Sequence, residues 1–418
     1  MDRIVVRPGP PLAGTVQVGG AKNACLKVMA ASLLAPGRYV LDNVPRIIDV
    51  ETMSDVLVAM GVDVRRSGPH QLTLDVPEEL TPEAPYELVE RMRASIIVLG
   101  PLLASCGVAR VALPGGDDFG PRPIDMHLRG LEALGASFEA AHGYIEGRAE
   151  QLTGTRILLE FPSVGATENI LMAAVRAKGV TVIDNAAREP EIADLAAFLD
   201  RMGARVTGAG TSTIHVEGVE ELASVDHTLV PDRVEAATFL AAVGLARGEI
   251  FIEGARADHM DMLVQKLGEM GMRISPASGG LWAYSRGRLR AVDVATLPYP
   301  GIATDYKPLF VALLSVADGV GIVTENLFAG RFRYVDELTR MGADIRTEGN
   351  HAVVRGIDRL SGAPVRAPDI RAGAALVVAG LAADGETVVT DPQHVDRGYE
   401  NLAGKLSSLG ADVSRFND

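Results

Sequence analysis

The sequence predicts an α/β protein of two domains, built from six repeated βαβαββ-type units with three units in each domain. Three observations predict this architecture: a length of 418 residues, a helix-glycine-strand pattern that recurs six times, and a second series of six glycines with a similar spacing. A chain of this length, in which 47% of the residues are hydrophobic, can bury two separate cores.

The first glycine series follows amphipathic helices and precedes short alternating strands, as in MGVDV, LGASF, MGARV, MGMRI, MGADI and LGADV. Glycine often ends a helix in the left-handed conformation, because it has no Cβ atom to clash there. Successive glycines are separated by 74, 68, 68, 71 and 68 residues, which indicates a repeat. The series consists of Gly61, Gly135, Gly203, Gly271, Gly342 and Gly410.

The second glycine series lies between a helix and a run of β-branched residues, which is typical of a strand. Each unit therefore contains a helix, a strand, a second helix and two further strands, the pattern expected of mixed α/β structure. The series consists of Gly37, Gly107, Gly179, Gly248, Gly319 and Gly385.

Six units divide most simply into two domains of three. We predict a C-terminal domain formed by residues 1–20 and 230–418, and an N-terminal domain formed by residues 21–229. The predicted initial strand, residues 3–6, precedes the first helix, and we expect it to complete a sheet of the other domain. Two connections would then join the domains.

Polar residues cluster at the start of the first helix of each unit, although these helices are almost wholly apolar. A helix N-terminus offers free N–H groups and a positive dipole end, which suit phosphate or carboxylate. Capping alone would explain Thr167 or Asp305, but positive charge at Lys22, Arg93 and Arg371 opposes the dipole. The whole set is Lys22, Asn23, Arg93, Thr167, Arg233, Asp305 and Arg371.

An arginine also precedes the second helix of each unit. If the units surround pseudo-threefold axes, these helix starts converge at one end of each domain and form a cleft for anionic substrates. Any one of them could instead be a surface ion-pair partner, and Arg46, Arg188 and Arg256 could serve only to hold interfaces. The six are Arg46, Arg122, Arg188, Arg256, Arg331 and Arg397.

In the segment LPGGDDFGPRPIDMH, residues 113–127, three glycines surround two adjacent acids, and a rigid Pro-Arg-Pro follows. This composition predicts a mobile loop over residues 113–123 that carries a proton donor. The alternative is an acidic surface turn.

Several functional classes are disfavoured by composition and motifs. A net charge of −14 and an aromatic content of 5% disfavour nucleic-acid binding. Cys25 and Cys106 have no spacing typical of a disulfide framework or a zinc site, and the chain contains no P-loop, dinucleotide fingerprint or nucleophile elbow. The uncharged run at 94–109 is too short and interrupted for a membrane span, so we expect a cytoplasmic protein without membrane insertion.

Eight segments occur in an order that closely resembles the UDP-N-acetylglucosamine 1-carboxyvinyltransferases of the EPSP synthase superfamily. They are GGAKN, MRAS, PGGDDFGPRPIDMH, PSVGATENI, NAAREPEI, TENLF with GRF, DIRAGA and HVDRGYE, spread over essentially the whole chain. The resemblance implies a two-domain inside-out α/β barrel. It also implies transfer of the enolpyruvyl group of phosphoenolpyruvate to the 3-hydroxyl of UDP-N-acetylglucosamine, with release of phosphate and without a metal or other cofactor.

The resemblance also implies roles for individual residues. Lys22, Arg122 and Arg397 match phosphoenolpyruvate contacts, with Asn23 beside them and Arg331 and Arg371 near the substrate carboxylate. Asp305 matches the base that accepts the proton of the sugar hydroxyl, and Asp117 occupies the general-acid position; Lys22 and Arg397 complete the implied catalytic set. The positions that match UDP-sugar contacts are Arg93, Arg122, Pro123, Ile124, Asp125, Met126, Ser163, Val164, Asp305 and Leu327.

Three residues depart from the family pattern. Asp117 stands where cysteine is commonest, which implies that the covalent thioether adduct with fosfomycin cannot form. Phe161 stands where many members have lysine, and Lys307 stands where glutamine is frequent. Each departure leaves room for a different acceptor specificity.

Two alternatives stay open at this point. One is an enolpyruvyl transferase paralogue for another nucleotide or phosphorylated acceptor, such as shikimate 3-phosphate, against which the UDP-sugar motifs argue. The other is a noncatalytic UDP-sugar-binding protein, against which the presence of Lys22, Asp117, Asp305 and Arg397 argues.

Overall fold

The computed structural model describes residues 2–113, 124–328 and 330–417. These residues form two compact units. The C-terminal unit contains residues 2–19 and 231–417, and the N-terminal unit contains residues 20–113 and 124–230. The sequence-based predictions for Asp117, Arg122, Pro123 and most of the loop at 113–123 lie outside the described residues.

Each unit contains three helices that are buried over most or all of their length. In the N-terminal unit these are Lys22–Ala31, Leu99–Cys106 and Val164–Ala174. In the C-terminal unit they are Arg233–Ala246, Lys307–Ser315 and Ile370–Gly380. Short 3-10 helices, Arg93–Val98 and Thr304–Tyr306, lead into two of them. A helix that is apolar on every side is stable only when other elements surround it, which explains why these almost wholly apolar helices are buried.

The second helix of each repeat buries one face and exposes the other. These helices are Ile48–Ala59, Asp125–Ala133, Pro190–Arg201, Asp261–Met270, Val335–Arg340 and Leu402–Ser408. Shorter helical segments are Ser32–Leu34, Tyr86–Val89, Ala257–His259 and Gln393–Asp396.

The described residues form six four-stranded sheets, three in each unit, and each sheet has one parallel pair at an edge followed by two antiparallel pairs. In the N-terminal unit the strands, in spatial order, are His227–Thr228, Gly37–Asp42, Gln71–Val76 and Asp63–Gly68; Glu83–Ala84, Val108–Ala112, Tyr144–Arg148 and Ser137–Ala141; and Arg156–Leu158, Val180–Asp184, Thr213–Glu217 and Arg205–Thr207.

The sheets of the C-terminal unit repeat the same order of pairing. Their strands are Leu12–Gln17, Gly248–Glu253, Gly280–Ser285 and Arg273–Ala277; Val294–Ala295, Val320–Thr324, His351–Arg355 and Asp344–Glu348; and Pro364–Arg366, Thr387–Thr390, Arg3–Arg7 and Asp412–Phe416. A smaller sheet pairs Leu360–Ser361 with Ala383–Asp384.

The first strand of the chain belongs to the last repeat. Arg3–Arg7 lies antiparallel between Thr387–Thr390 and Asp412–Phe416, with Val5 opposite Val388 on one side and Ser414 on the other. The expectation that the N-terminal segment completes a sheet of the other domain is therefore confirmed. The chain begins and ends in one sheet, which ties its first residues to its last.

The repeat pattern itself is also confirmed. All twelve glycines of the two series have positive φ angles, between 69° at Gly107 and 126° at Gly37. Each of them ends a helix or turns the chain into a strand, where a side chain would be strained. Apolar residues form one buried cluster in each unit. None of the helices described in the structure is long and apolar enough to cross a membrane.

Candidate active site

The C-terminal unit holds one carboxylate between two arginines. Asp305 lies in the 3-10 turn Thr304–Tyr306, at the entrance to the buried helix that follows it. Its Oδ1 accepts from Arg331 Nη1 at 3.1 Å, and its Oδ2 accepts from Arg371 Nε at 3.0 Å. The side chains of Arg331 and Arg371 are 6% and 5% exposed, whereas that of Asp305 is 26% exposed. Two nearly buried cations therefore meet one partly accessible anion.

The charge state of Asp305 follows from this arrangement. Burial raises the pKa of its carboxyl, but the charges and hydrogen bonds of Arg371 and Arg331 outweigh burial and hold the pKa far below its usual range. Asp305 is thus ionised. Such a pair of arginines is suited to bind a carboxylate or phosphate by charge-assisted hydrogen bonds.

Arg371 is fixed by the start of its helix. Asp369 caps the helix Ile370–Gly380, and its side chain accepts from the backbone N–H groups of Arg371 at 2.8 Å and Ala372 at 2.9 Å. The guanidinium lies 5.3 Å from the centre of the Tyr399 ring. The negative cap and the aromatic ring offset the unfavourable position of a cation at a helix N-terminus.

In the N-terminal unit, Lys22 opens the helix Lys22–Ala31 and pairs with Asp49 of the next helix. The Nζ and Oδ2 atoms are 2.6 Å apart, and the two side chains are 10% and 2% exposed. Asn23, Arg93 and Val164 are half-buried at or near helix starts in the same unit. Sequence reasoning missed Asp49, although it is an acid in the first turn of its helix.

A second buried ion pair lies deeper in this unit. Lys27 Nζ is 3.4 Å from Glu168 Oε2, and the Glu168 side chain has no exposed surface. Burial raises the pKa of Glu168 from 4.5 to about 7, against the opposing effect of Lys27. Glu168 follows Thr167 in the segment TEN, yet sequence reasoning did not single it out.

This raised pKa predicts a pH-dependent contribution to stability. Between pH 4.5 and about 7 the folded state holds a proton on Glu168 that the unfolded state has lost, so stability falls as pH rises through this window. Relative to the Glu168→Gln variant, the wild type should therefore gain on the order of 3 kcal/mol between pH 8 and pH 5. Denaturant unfolding of both proteins at several pH values measures the difference.

The matched control for this prediction is Glu160→Gln, because Glu160 is an exposed acid of the same unit that pairs with Arg129. Its stability should follow that of the wild type at every pH. Parallel curves for the wild type and Glu168→Gln would contradict the raised pKa.

Other predicted residues occupy ordinary structural positions. Ser163, not Thr167, caps the helix Val164–Ala174 by accepting from Ala166 N–H at 3.3 Å. The Thr167 hydroxyl instead accepts from Ala187 N–H at 3.0 Å. The capping interpretation of Asp305 is also wrong, since its side chain caps no helix and binds the two arginines.

Ile124, Asp125 and Met126 are half-buried at the start of their helix, and Asp125 lies 3.5 Å from Arg129 on the next turn. Phe161 is 38% exposed, two residues before Ser163. Nothing in the structure explains this exposed aromatic ring.

Of the six arginines before the second helices, the five that the structure describes do not share one environment. Arg46, Arg188 and Arg256 are exposed, and Arg256 pairs with Asp258 at 2.6 Å on the surface. Arg331 is buried, and Arg397 is half-buried at the end of the helix Gln393–Asp396. The repeat pattern therefore identified an arginine before each second helix. It did not show that Arg331 is the buried one of these five.

The structure brings Asp305, Arg331 and Arg371 into direct contact within the C-terminal unit. Leu327 and Arg397 belong to the same unit, while Lys22, Asn23, Arg93, Ser163 and Val164 belong to the N-terminal unit. Within the described ranges, no three His, Cys, Asp or Glu side chains form a group that could hold a metal ion.

Comparison with known proteins gives a consistent result. Residues 6–406 match the family model of EPSP synthase (3-phosphoshikimate 1-carboxyvinyltransferase). The chain is 51% identical over 423 residues to UDP-N-acetylglucosamine 1-carboxyvinyltransferase 1 of Staphylococcus aureus, with 100% of both chains covered. It is 49% identical over 414 residues to the enzyme of the same name from Caldanaerobacter subterraneus subsp. tengcongensis, with 99% of both chains covered.

Among solved structures, the chain is similar to the enolpyruvyl transferase NikO from Streptomyces tendae. The TM-score is 0.90 at 26% sequence identity, and the alignment covers 100% of this chain and 99% of that one. The predicted mixed α/β architecture is thus shared with a solved enolpyruvyl transferase.

Proposed function

Because this chain belongs to the EPSP synthase family of carboxyvinyltransferases, we propose that it transfers the enolpyruvyl group of phosphoenolpyruvate to the 3-hydroxyl of UDP-N-acetylglucosamine. This reaction is the first committed step of peptidoglycan synthesis. In the structure, the observation that carries the proposal is the Asp305 carboxylate held by Arg331 and Arg371. We place the reaction in the cytoplasm.

The proposed reaction is an addition followed by an elimination. Asp117 donates a proton to C3 of phosphoenolpyruvate, the sugar oxygen forms a bond to C2, and Asp305 accepts the proton of that hydroxyl. C3 then returns a proton to the deprotonated Asp117, the bond between C2 and the phosphate oxygen breaks, and inorganic phosphate leaves with the proton that Asp305 had accepted. Lys22, Arg122 and Arg397 would neutralise the phosphate as it departs.

The arginine pair keeps Asp305 ionised and holds it in place. Because Arg331 and Arg371 both bind Asp305, its carboxylate is charged and can accept a proton. The same two guanidinium groups would also bind the carboxylate of phosphoenolpyruvate beside Asp305.

Phosphate release with different acceptors tests the proposal. The purified chain is mixed with phosphoenolpyruvate and, in separate reactions, UDP-N-acetylglucosamine, UMP or shikimate 3-phosphate. We expect release only with UDP-N-acetylglucosamine, together with a product that has gained the enolpyruvyl mass. Faster release with either other acceptor would overturn the assigned substrate. Binding of the UDP-sugar without release would instead support the noncatalytic alternative.

A further inference from the structure

A second ion pair of the C-terminal unit is completely buried. Lys307 Nζ lies 2.8 Å from Glu325 Oε2, and neither side chain has exposed surface. Lys307 is the one charged residue of the helix Lys307–Ser315, whose other members are apolar or small. Removing two charges from water costs free energy, so a completely buried ion pair is expected to have a structural or functional role.

Glu325 organises the segment that follows the strand Val320–Thr324. Its carboxylate accepts from the hydroxyls of Thr296 and Thr304, both at 2.7 Å. It also accepts from the backbone N–H groups of Leu327 at 2.8 Å and Phe328 at 3.2 Å. The backbone at Leu327, a position that matches a UDP-sugar contact, is therefore set by this carboxylate.

Lys307 contacts the residues that follow this segment, Arg331 and Phe332. Its ammonium group donates to the backbone carbonyl of Arg331 and lies 4.1 Å from the centre of the Phe332 ring. One cation thus contacts both Glu325 and the main chain of Arg331. The ion pair therefore holds the main chain of Arg331 in position.

The Thr304 hydroxyl connects this pair to Asp305. It accepts from Arg331 Nη1 at 2.9 Å and donates to Glu325 Oε2 at 2.7 Å. The same Nη1 atom donates to Asp305 at 3.1 Å. Arg331 therefore contacts the Asp305 carboxylate directly and is linked to the Glu325 carboxylate through the Thr304 hydroxyl. The two carboxylates compete for its charge.

We propose that Lys307 is a positioning residue for the transfer reaction: by neutralising Glu325, it leaves the Arg331 guanidinium paired with Asp305. This role rests on the proposed function of the same site. Without the ammonium charge, the buried Glu325 attracts Arg331 through Thr304, and the contact between Arg331 and Asp305 weakens.

The proposal predicts a pH dependence. Burial lowers the pKa of Lys307 to about 8. The charges of Glu325 and Asp369 act to raise this pKa, and that of Arg331 acts to lower it. The aromatic rings of Phe332 and Tyr334 also lie near the ammonium group. Its folded pKa lies below the unfolded value of 10.5, so its contribution to stability rises between pH 8 and pH 10.5. A loss of activity that begins near pH 8 therefore cannot be unfolding caused by Lys307.

The test compares kcat and KM for phosphoenolpyruvate from pH 6 to pH 10 in the wild type and Lys307→Gln. We expect kcat/KM of the wild type to fall above about pH 8, and that of Lys307→Gln to lack this step while being ten- to a hundredfold lower at pH 7. Lys266→Gln is the matched control, since Lys266 pairs with Glu269 on the surface of the same unit. It should keep the wild-type profile.

A second pair of variants separates charge competition from misfolding. Lys307→Met leaves Glu325 uncompensated, whereas Lys307→Met with Glu325→Gln removes both charges. The double variant should recover most of the kcat/KM that Lys307→Met loses. A double variant no more active than Lys307→Met, or an alkaline step that persists in Lys307→Gln, would overturn the proposal.

An activity-independent measurement distinguishes this proposal from the proposed function. In protein carrying ¹³C-labelled aspartate carboxyls, the signal that Asp305→Asn removes should shift near pH 8 in the wild type and stay constant in Lys307→Gln. This shift would support the positioning role even if no acceptor were turned over. A wild-type signal that does not move between pH 7 and pH 9 would refute it.

Discussion

Replacing Asp305 with Asn is expected to lower kcat for enolpyruvyl transfer by about a thousandfold, within the range typical of a lost general base. The amide keeps the size of the side chain but cannot accept the hydroxyl proton. It also leaves Arg331 and Arg371 without their shared anion. Phosphoenolpyruvate, which supplies a carboxylate of its own, should bind at least as tightly as in the wild type. Steady-state phosphate release and calorimetric titration measure the two effects.

The matched control is Asp258→Asn, since Asp258 is an exposed acid of the same unit that also pairs with an arginine, Arg256. Its kcat should equal that of the wild type. An Asp305→Asn enzyme that kept kcat within threefold of the wild type would remove Asp305 from the proton-transfer step. Thermal unfolding of both variants shows whether any loss reflects the active site or the fold.

Resistance to fosfomycin is the second large effect that we expect, and Asp117→Cys should abolish it. The drug forms a thioether with a cysteine at this position, and a carboxylate cannot form that bond. The two native cysteines cannot replace it. Burial raises the pKa of Cys25 to about 12 and also raises that of Cys106, so neither thiol is ionised near neutral pH. The wild type should therefore remain active after long incubation with the drug.

Mass spectrometry after incubation measures this outcome directly. The Asp117→Cys enzyme should gain the mass of one fosfomycin molecule and lose activity with time, while the wild type gains no mass. Asp117→Asn, which can neither donate the proton nor form the adduct, should bind UDP-N-acetylglucosamine but turn over no substrate. A covalent adduct on the wild type, or full turnover by Asp117→Asn, would contradict the role proposed for Asp117.

The architecture was predictable because its signals are local. A glycine that ends a helix requires a positive φ angle whatever lies around it, and Gly271 after the helix Asp261–Met270 adopts φ of 111°. A helix that is apolar on every side must be buried, as Arg233–Ala246 is. Features of this kind depend on a few neighbouring residues, so repetition along the chain makes them easy to recognise.

The candidate site was predictable only in part. Charges at helix starts that oppose the dipole drew attention to Lys22 and Arg371, and both are indeed almost buried and paired. Their partners were not predictable, because an ion pair needs closeness in space and not in sequence. Asp305 and Arg371, for example, are 66 residues apart along the chain.

The sequence alone therefore determined the number of repeats, the positions of the helix ends and the family resemblance of this protein. Only the tertiary structure decided which charges meet: Arg331 is buried beside Asp305, whereas Arg256, at the equivalent place in another repeat, lies on the surface. It also decided that Lys307 and Glu325 form a buried pair. The physical reason is that burial and electrostatic pairing depend on how distant segments pack, and no local pattern records that packing.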